Sequence, residues 1–286
     1  MKSILYATDY SEASVAALHC AQVLSRNLDL RLVLCHVYDV PTLLGTQLEG
    51  PFPHLRTDAY TTQRKKLKAF FEKNREDNHP VRELHVEPVE NMSVLSGILS
   101  KASEWQTRLI VVGMKGESLV RGMIMGSTTK KLVDKAPCPV LAVPAKHHFT
   151  EIKNLVYATD FEVEDIKALE KVVILARAFG AAVHVVHVTE DTQYSGPSNL
   201  SWFRQMLESQ VKYENLHFEL LKSGDVANSL KDYTEHQEAS LIGMLERSSK
   251  HNTNKWFRRD LVKQMASNKS IPLLSFNEQN LKTLFV

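Results

Sequence analysis

Short apolar runs alternate with longer amphipathic stretches along the whole chain. Ser3–Thr8 and Arg31–Val37 are apolar over the length of a buried strand. Between them, Ser11–Asn27 carries Val15, Leu18, Ala21, Val23 and Leu24 at helical spacing, with Ser11 placed to cap it. A polar, Pro-containing stretch over 39–57 leads into a charged helix over 60–78 with Leu67, Phe70 and Phe71 on one face. The pattern then predicts a strand over 81–89, a helix over 93–104, a buried strand over 109–112, a helix opening at Gly126 and running to Lys135, and a strand over 140–143. The same order returns in strands over 155–159, 182–188, 216–222, 240–243 and 273–276. The helices between them fall over 165–178, 202–215, around Leu230 and over about 256–266. Strands separated by helices at this interval imply parallel sheets covered on both faces.

The return is a sequence repeat as well as a repeat of pattern. Ile4-Leu5-Tyr6-Ala7-Thr8-Asp9-Tyr10 matches Leu155-Val156-Tyr157-Ala158-Thr159-Asp160-Phe161 at an offset of 151 residues. The same ungapped offset pairs Ala17-Leu18 with Ala168-Leu169, Leu24 with Leu175, Arg26 with Arg177, and His36-Val37 with His187-Val188. A period this long marks duplicated domains rather than a solenoid of small units. The boundary is expected at Pro144-Ala145-Lys146-His147-His148, giving domains of 1–146 and 147–286.

Composition narrows the classes of function. With 286 residues, 43% hydrophobic and 24% charged, the chain has enough apolar material for a core, and a formal net charge of +2 gives no reason to expect nucleic-acid or membrane binding. No segment is long and apolar enough to span a bilayer. Asp9 interrupts the N-terminal apolar stretch too early for a signal peptide. Cys20, Cys35 and Cys138 form neither a CxxC motif nor an even set, so they read as buried thiols, and reduced cysteines fit a cytoplasmic protein.

The informative stretch is Gly113-Met114-Lys115-Gly116, nine residues, then Gly126-Ser127. It follows one buried strand and opens a helix beginning Thr128-Thr129. In open α/β sheets, ligands sit beyond the carboxyl ends of the strands. A helix N-terminus presents unpaired N–H groups and a favourable dipole to an anion. Gly126 lets the backbone approach a phosphate, and Ser127, Thr128 and Thr129 supply hydroxyls, so no Walker lysine is needed; the alternative is that the glycines serve only as turn residues. Asp9, just past the first strand, lies at the same sheet edge. It could accept from a ribose hydroxyl or an adenine amino group, or serve only as a carboxylate at a helix start.

The residues Tyr6-Ala7-Thr8-Asp9-Tyr10-Ser11, Leu34-Cys35-His36-Val37, the glycine pattern and Ala136-Pro137-Cys138-Pro139-Val140-Leu141-Ala142-Val143 together resemble the universal stress protein family, in a tandem arrangement. The first half matches the Gly-x2-Gly-x9-Gly-Ser/Thr pattern of that family's ATP-binding branch without gaps. The resemblance implies two tandem open five-stranded parallel sheets flanked by helices, Rossmann-like or adenine nucleotide α-hydrolase-like. The halves would pair through 140–143 and 273–276 as a pseudo-dimer. It implies ATP as ligand, accompanied by a divalent cation such as Mg, and a regulatory or stress-survival role with a protein partner still to be found. By the resemblance, Asp9 and Ala7 line the adenosine pocket and the Val37 backbone contacts adenine. Val112 and Gly113 lie under the nucleotide, and Lys115 and Gly116 sit near ribose and phosphates. Gly126, Ser127, Thr128 and Thr129 form the triphosphate turn. In the second half no glycine follows Gly243 in the stretch Met244-Leu245-Glu246-Arg247-Ser248 up to Asp260. With Glu246 repelling phosphate, that half is expected to be a structural partner.

Other residues offer less. His184 and His187 are three apart on a strand and face opposite sides. His36 and His187 are equivalent repeat positions and read as structural. His147-His148 is no ligand set, and Glu87 with Glu90 reads as a solvated pair in a polar connection. No Ser-His-Asp or Cys-His arrangement can be assembled, which argues against a dedicated hydrolase and leaves slow ATP hydrolysis open. Lys255-Trp256-Phe257-Arg258-Arg259 mixes basic and aromatic residues; nucleic-acid contact is one reading, and part of an amphipathic helix with Trp and Phe buried is the preferred one given the low net charge. A non-nucleotide scaffold of the same fold is the alternative reading, and a monomer and a dimer of tandem chains stay equally open.

Overall fold

Each half of the chain contributes five strands to one ten-stranded sheet. The structure, a computed structural model, describes residues 2–39, 53–77, 79–114, 125–148, 151–190, 195–246 and 271–282. Lys115, Gly116 and the helix expected over 256–266 lie outside them. The first half supplies β1 (Ser3–Ala7), α1 (Glu12–Asn27), β2 (Arg31–Tyr38), α2 (Pro53–Asn74), β3 (Leu84–Glu90), α3 (Val94–Glu104), β4 (Thr107–Gly113), α4 (Ser127–Lys135) and β5 (Val140–Val143). The second supplies β6 (Asn154–Ala158), α5 (Val163–Phe179), β7 (Ala182–Thr189), α6 (Ser195–Gln210), β8 (Leu216–Lys222), α7 (Val226–His236), β9 (Leu241–Glu246) and β10 (Leu273–Asn277), which ends in a short 3₁₀ turn at Asn280–Lys282.

Strand order runs β3-β2-β1-β4-β5-β10-β9-β6-β7-β8. Every pairing is parallel except β5 with β10. Each half is therefore a doubly wound sheet in which the strand order reverses between its first and fourth strands. The antiparallel seam is symmetric. Leu141 pairs with Leu274, and these residues hold matching register positions, opposite Val111 and Gly243 respectively. That self-complementary edge is the isologous contact of a two-fold dimer, built here within one chain.

Burial on both faces explains the unbroken apolar runs. One face of the sheet packs α1, α2, α5 and α6 through residues such as Leu24, Leu67, Leu169 and Phe203, and this core runs across both halves. The other packs α3, α4 and α7 through Ile98, Leu132 and Leu230. Cys20, Cys35 and Cys138 are free and buried. Glu87 and Glu90 lie on β3, not in a connection, and Glu87 is 3.2 Å from Lys101. As the outermost strand of its half, β3 tolerates polar residues that an inner strand would not.

Register also extends the alignment of the two halves beyond their second strands. Glu87 and Glu219 occupy matching positions beside Cys35 and Val186, so the offset of 151 has fallen to 132 by the third strand of each half. The second half is 19 residues shorter between its second and third strands. In consequence Gly243 stands opposite Tyr157 as Val111 stands opposite Tyr6. The counterpart of Gly113 is Leu245, and Glu246 corresponds to Met114.

The first turns of α1 and α5 show how the duplicated halves diverged. In the first half Thr8 Oγ1 donates to Ser14 Oγ (2.9 Å), which donates to the Ser11 carbonyl (2.6 Å), while Tyr6 Oη donates to the Ser14 carbonyl (2.6 Å). Ser11 takes the cap position without a side-chain capping bond. In the second half Asp165 replaces Ser14. Its carboxylate accepts from Tyr157 Oη (2.9 Å), Thr159 Oγ1 (2.9 Å) and the backbone N–H groups of Asp160 (3.1 Å) and Glu162 (3.3 Å). Asp165 is 1% exposed. Burial pushes its carboxyl up to about 7, against the lowering effect of the Tyr157 and Thr159 bonds.

A raised carboxyl pKa has a definite consequence for stability. Between pH of about 4, where the unfolded carboxyl titrates, and about 7, the folded chain holds the proton more tightly, so stability falls as pH rises across that window. The full span corresponds to at most about 4 kcal/mol at ~1.4 kcal/mol per unit. Urea unfolding of wild type and Asp165→Asn from pH 4 to 7 should show the difference between the two narrowing or reversing with pH. Parallel stability curves would contradict it.

Candidate functional site

A cleft of about 190 Å³ opens at the carboxyl ends of β1, β2 and β4, over the point where the strand order reverses. β1 delivers Ala7 and, just beyond it, Thr8 and Asp9. β2 delivers Cys35, His36 and Val37, and β4 delivers Val112 and Gly113. The start of α1 closes one side with Ser11, Ala13 and Ser14, and the start of α4 closes the other with Gly126, Ser127, Thr128 and Thr129. Nine of the eleven residues singled out from the sequence thus line one cleft; Lys115 and Gly116 fall outside the described residues. Sequence reasoning missed Thr8, Ser11, Ala13, Ser14, Val94, Ile98 and Leu132 as lining residues. It read Cys35 and His36 as structural, and both also border the cleft.

The two helices come from opposite faces of the sheet, so two N-terminal dipoles converge on one opening. Gly126 caps α4 in extended backbone (φ −60°, ψ 156°) and offers no side-chain acceptor. The first amide with a helical partner is Lys130, which donates to the Gly126 carbonyl at 3.0 Å. The amides of 127–129 precede it and face the cleft end of the helix. Glycine is not needed here for its backbone angles, which any residue adopts. Its contribution is the bare approach it allows to the amides behind it.

Gly113 is required by close packing. A Cβ there would lie 2.6 Å from the Ala13 carbonyl oxygen, 2.9 Å from its carbon and 3.1 Å from Ser14 Cα. The end of β4 and the start of α1 can touch backbone to backbone only with hydrogen at that position. Gly97 plays a similar part behind Val37, since a Cβ on it would meet the two Val37 methyls at 2.8 and 2.9 Å. Gly97→Ala should therefore turn Val37 toward the cleft. Overpacking of ~1–3 kcal/mol is offset by ~1 kcal/mol of helix propensity, leaving a net loss of about 1 kcal/mol. Ligand affinity should fall several-fold. Thermal melts and titrations check both, and unchanged affinity would contradict the assignment of Val37 to the cleft wall.

Between Asp9 and Ser11 the chain passes through a residue in a left-handed conformation. Tyr10 has φ 64°, and Phe161, its counterpart, has φ 59°. Tyr10 lies tilted against His36 (4.2 Å between ring centres) and meets Phe70 edge to face (5.4 Å), with Lys66 Nζ 4.3 Å from its ring centre. His36 Nδ1 lies 2.8 Å from the Thr8 carbonyl, and His187 Nδ1 lies 2.7 Å from the Thr159 carbonyl. A carbonyl only accepts, so each Nδ1 carries the proton. Burial, with Lys66 adding to it, lowers the pKa of His36, which leaves the ring neutral near pH 7. Asp9 is exposed, and its Oδ1 accepts from Ser11 N at 3.0 Å, so it supports the entry into α1 as well as bordering the cleft. His184 faces the other way from His187 and meets Tyr233 Oη at 2.9 Å. Among the described residues no three His, Cys, Asp or Glu side chains gather as a metal site, and no helix is long and apolar enough to cross a membrane.

Fold and cleft define a doubly wound α/β protein with two helix N-termini converging on an opening at its topological switch point. The universal stress protein family model matches residues 1–144 and 151–267, so the chain belongs to the universal stress protein family, in tandem. A universal stress protein of Thermus aquaticus is 32% identical over 143 residues, which is 50% of this chain and 98% of that protein. One of Methanocaldococcus jannaschii is 26% identical over 142 residues, 50% of this chain and 81% of its own length. In fold, the chain is similar to the crystal structure of a universal stress protein from Archaeoglobus fulgidus. The TM-score is 0.74 at 16% identity, covering 96% of this chain and 98% of that one.

Proposed function

We propose that the first half, residues 1–146, binds an adenine nucleotide, ATP with a divalent cation, and that the chain acts as a nucleotide-dependent regulator or stress-survival factor. The observation that carries this reading is the convergence of the α1 and α4 N-termini on one cleft over the strand reversal. In this reading the phosphates lie against Gly126, Ser127, Thr128 and Thr129, where backbone amides and hydroxyls donate. Ala7, Val37 and Val112 give the base and sugar an apolar wall, and Asp9 offers an acceptor at the rim. A magnesium ion would be held chiefly by the phosphates, whose charge it would offset, since the described residues bring no ligand cluster.

The second half, 147–286, serves as a structural partner in this account. Two replacements support that. Leu245 stands where Gly113 stands, and the buried Asp165 carboxylate, where the first half has Ser14, takes the amides of Asp160 and Glu162 just ahead of α5. A fluorescent ATP analogue should bind the whole chain saturably and be displaced by unlabelled ATP in the presence of magnesium. Failure of every adenine nucleotide to displace it would overturn the reading.

A further inference from the structure

Helix α4 is short, nine residues or about 14 Å at 1.5 Å per residue, and its two ends have different surroundings. Its first turn borders the cleft. Its last turn meets a residue from the other half of the chain. Asn277, the last residue of β10, donates through Nδ2 to the Val133 carbonyl (2.9 Å) and the Ala136 carbonyl (3.1 Å), two of the groups a helix end leaves without partners. We infer that Asn277 is a positioning residue for the phosphate-binding end of α4, so that the second half holds the nucleotide helix of the first in place. This rests on the nucleotide reading given above.

Three observations make Asn277 more than an incidental neighbour. Its orientation is fixed, because Asn280 N donates to Asn277 Oδ1 (2.9 Å) while Asn277 N donates to Asn280 Oδ1 (3.1 Å). With Oδ1 taken by Asn280, Nδ2 is the end that faces α4. Both asparagines are buried, Asn277 at 4% exposure and Asn280 at 0%. The contact is also one-sided. The position matching Asn277 in the first half, one residue beyond β5, is Pro144, which has no side-chain donor to return to the second half. An exact two-fold pair would give both halves the same contact. Among the described residues, the donor at this position goes to the helix whose other end borders the cleft. A helix of two and a half turns, packed through Leu132 and Val133 and tied at its C-terminus, presents its N-terminal amides at a set height above the sheet. Losing the tie leaves two buried carbonyls short of a donor and lets the helix tilt or fray.

The test uses the whole chain and two ligands. Asn277→Asp keeps the shape and the acceptor for Asn280 N but removes the donor, and Asn277→Ala removes the side chain. ATP affinity should fall about tenfold in each, the scale of one to two buried hydrogen bonds, while adenosine, which makes no phosphate contact, keeps its wild-type affinity. Hydrogen exchange of the amides of 130–136 without ligand should quicken in both variants. Unchanged ATP affinity in variants of a chain that binds ATP would overturn the inference alone. Equal losses for ATP and adenosine would show a general structural defect and overturn it too. Unaltered exchange over 130–136 would overturn it whether or not the wild type binds ATP, and a wild type that binds no ATP would remove the functional reading itself.

Discussion

Gly113→Ala should destabilise the chain by about 3 kcal/mol and abolish ligand binding in the same step. The added Cβ meets the Ala13 carbonyl oxygen at 2.6 Å and Ser14 Cα at 3.1 Å. These are backbone atoms in the first turn of a helix, so no side-chain rotation relieves the contact. Either the end of β4 or the start of α1 must move. β4 is fixed by its pairings with β1 and β5, so the movement falls on α1. That displaces Ser14, and with it the hydrogen-bond chain from Thr8 through Ser14 to Ser11, which shapes one wall of the cleft. Urea unfolding together with an ATP titration measures both effects. A variant with wild-type stability would show that the approach of α1 to β4 is looser than described.

Gly126→Asp is expected to separate binding from stability. Its backbone at φ −60° and ψ 156° suits any residue, and aspartate is among the preferred caps at a helix start. The variant should fold and be as stable as wild type, or more stable by ~0.5–1 kcal/mol. Its carboxylate would accept from the amides that a phosphate needs and would set a like charge against it. Charge-assisted hydrogen bonds of ~1.5–3 kcal/mol each are then lost, so ATP affinity should fall by about a hundredfold or more. A folded variant that binds ATP as wild type does would move the phosphates away from α4.

Much of the architecture was legible in the chain because the halves repeat. The runs at 3–8 and 155–159 read as strands from apolar content alone, and the match at an offset of 151 supplied the duplication. Of the glycines in the pattern, Gly113 and Gly126 border the cleft, the first because β4 packs backbone to backbone on α1 and the second at the start of α4. Helix starts were less legible. α2 begins at Pro53 and α6 at Ser195, each seven residues earlier than the apolar spacing indicated, since their first turns carry polar residues without a periodic stripe. The counterpart of Gly113 was not legible, because the 19-residue shortening between β7 and β8 cannot be located from composition, whereas strand register locates it at once. Ser14 and Asp165 stand at the repeat offset and could have been compared, but nothing in a serine-to-aspartate difference announces a buried carboxylate with four donors. Asn277 was invisible for the same reason. Its partners lie 141 and 144 residues away, and only the joined sheet brings them together.

The most direct test of the central claim is calorimetric titration of the whole chain with ATP and magnesium, for wild type and Gly126→Asp. One site per chain, lost in the variant, is the result the proposed first-half site predicts. Two sites per chain would show that the second half binds as well, and no heat of binding in wild type would contradict the nucleotide site altogether.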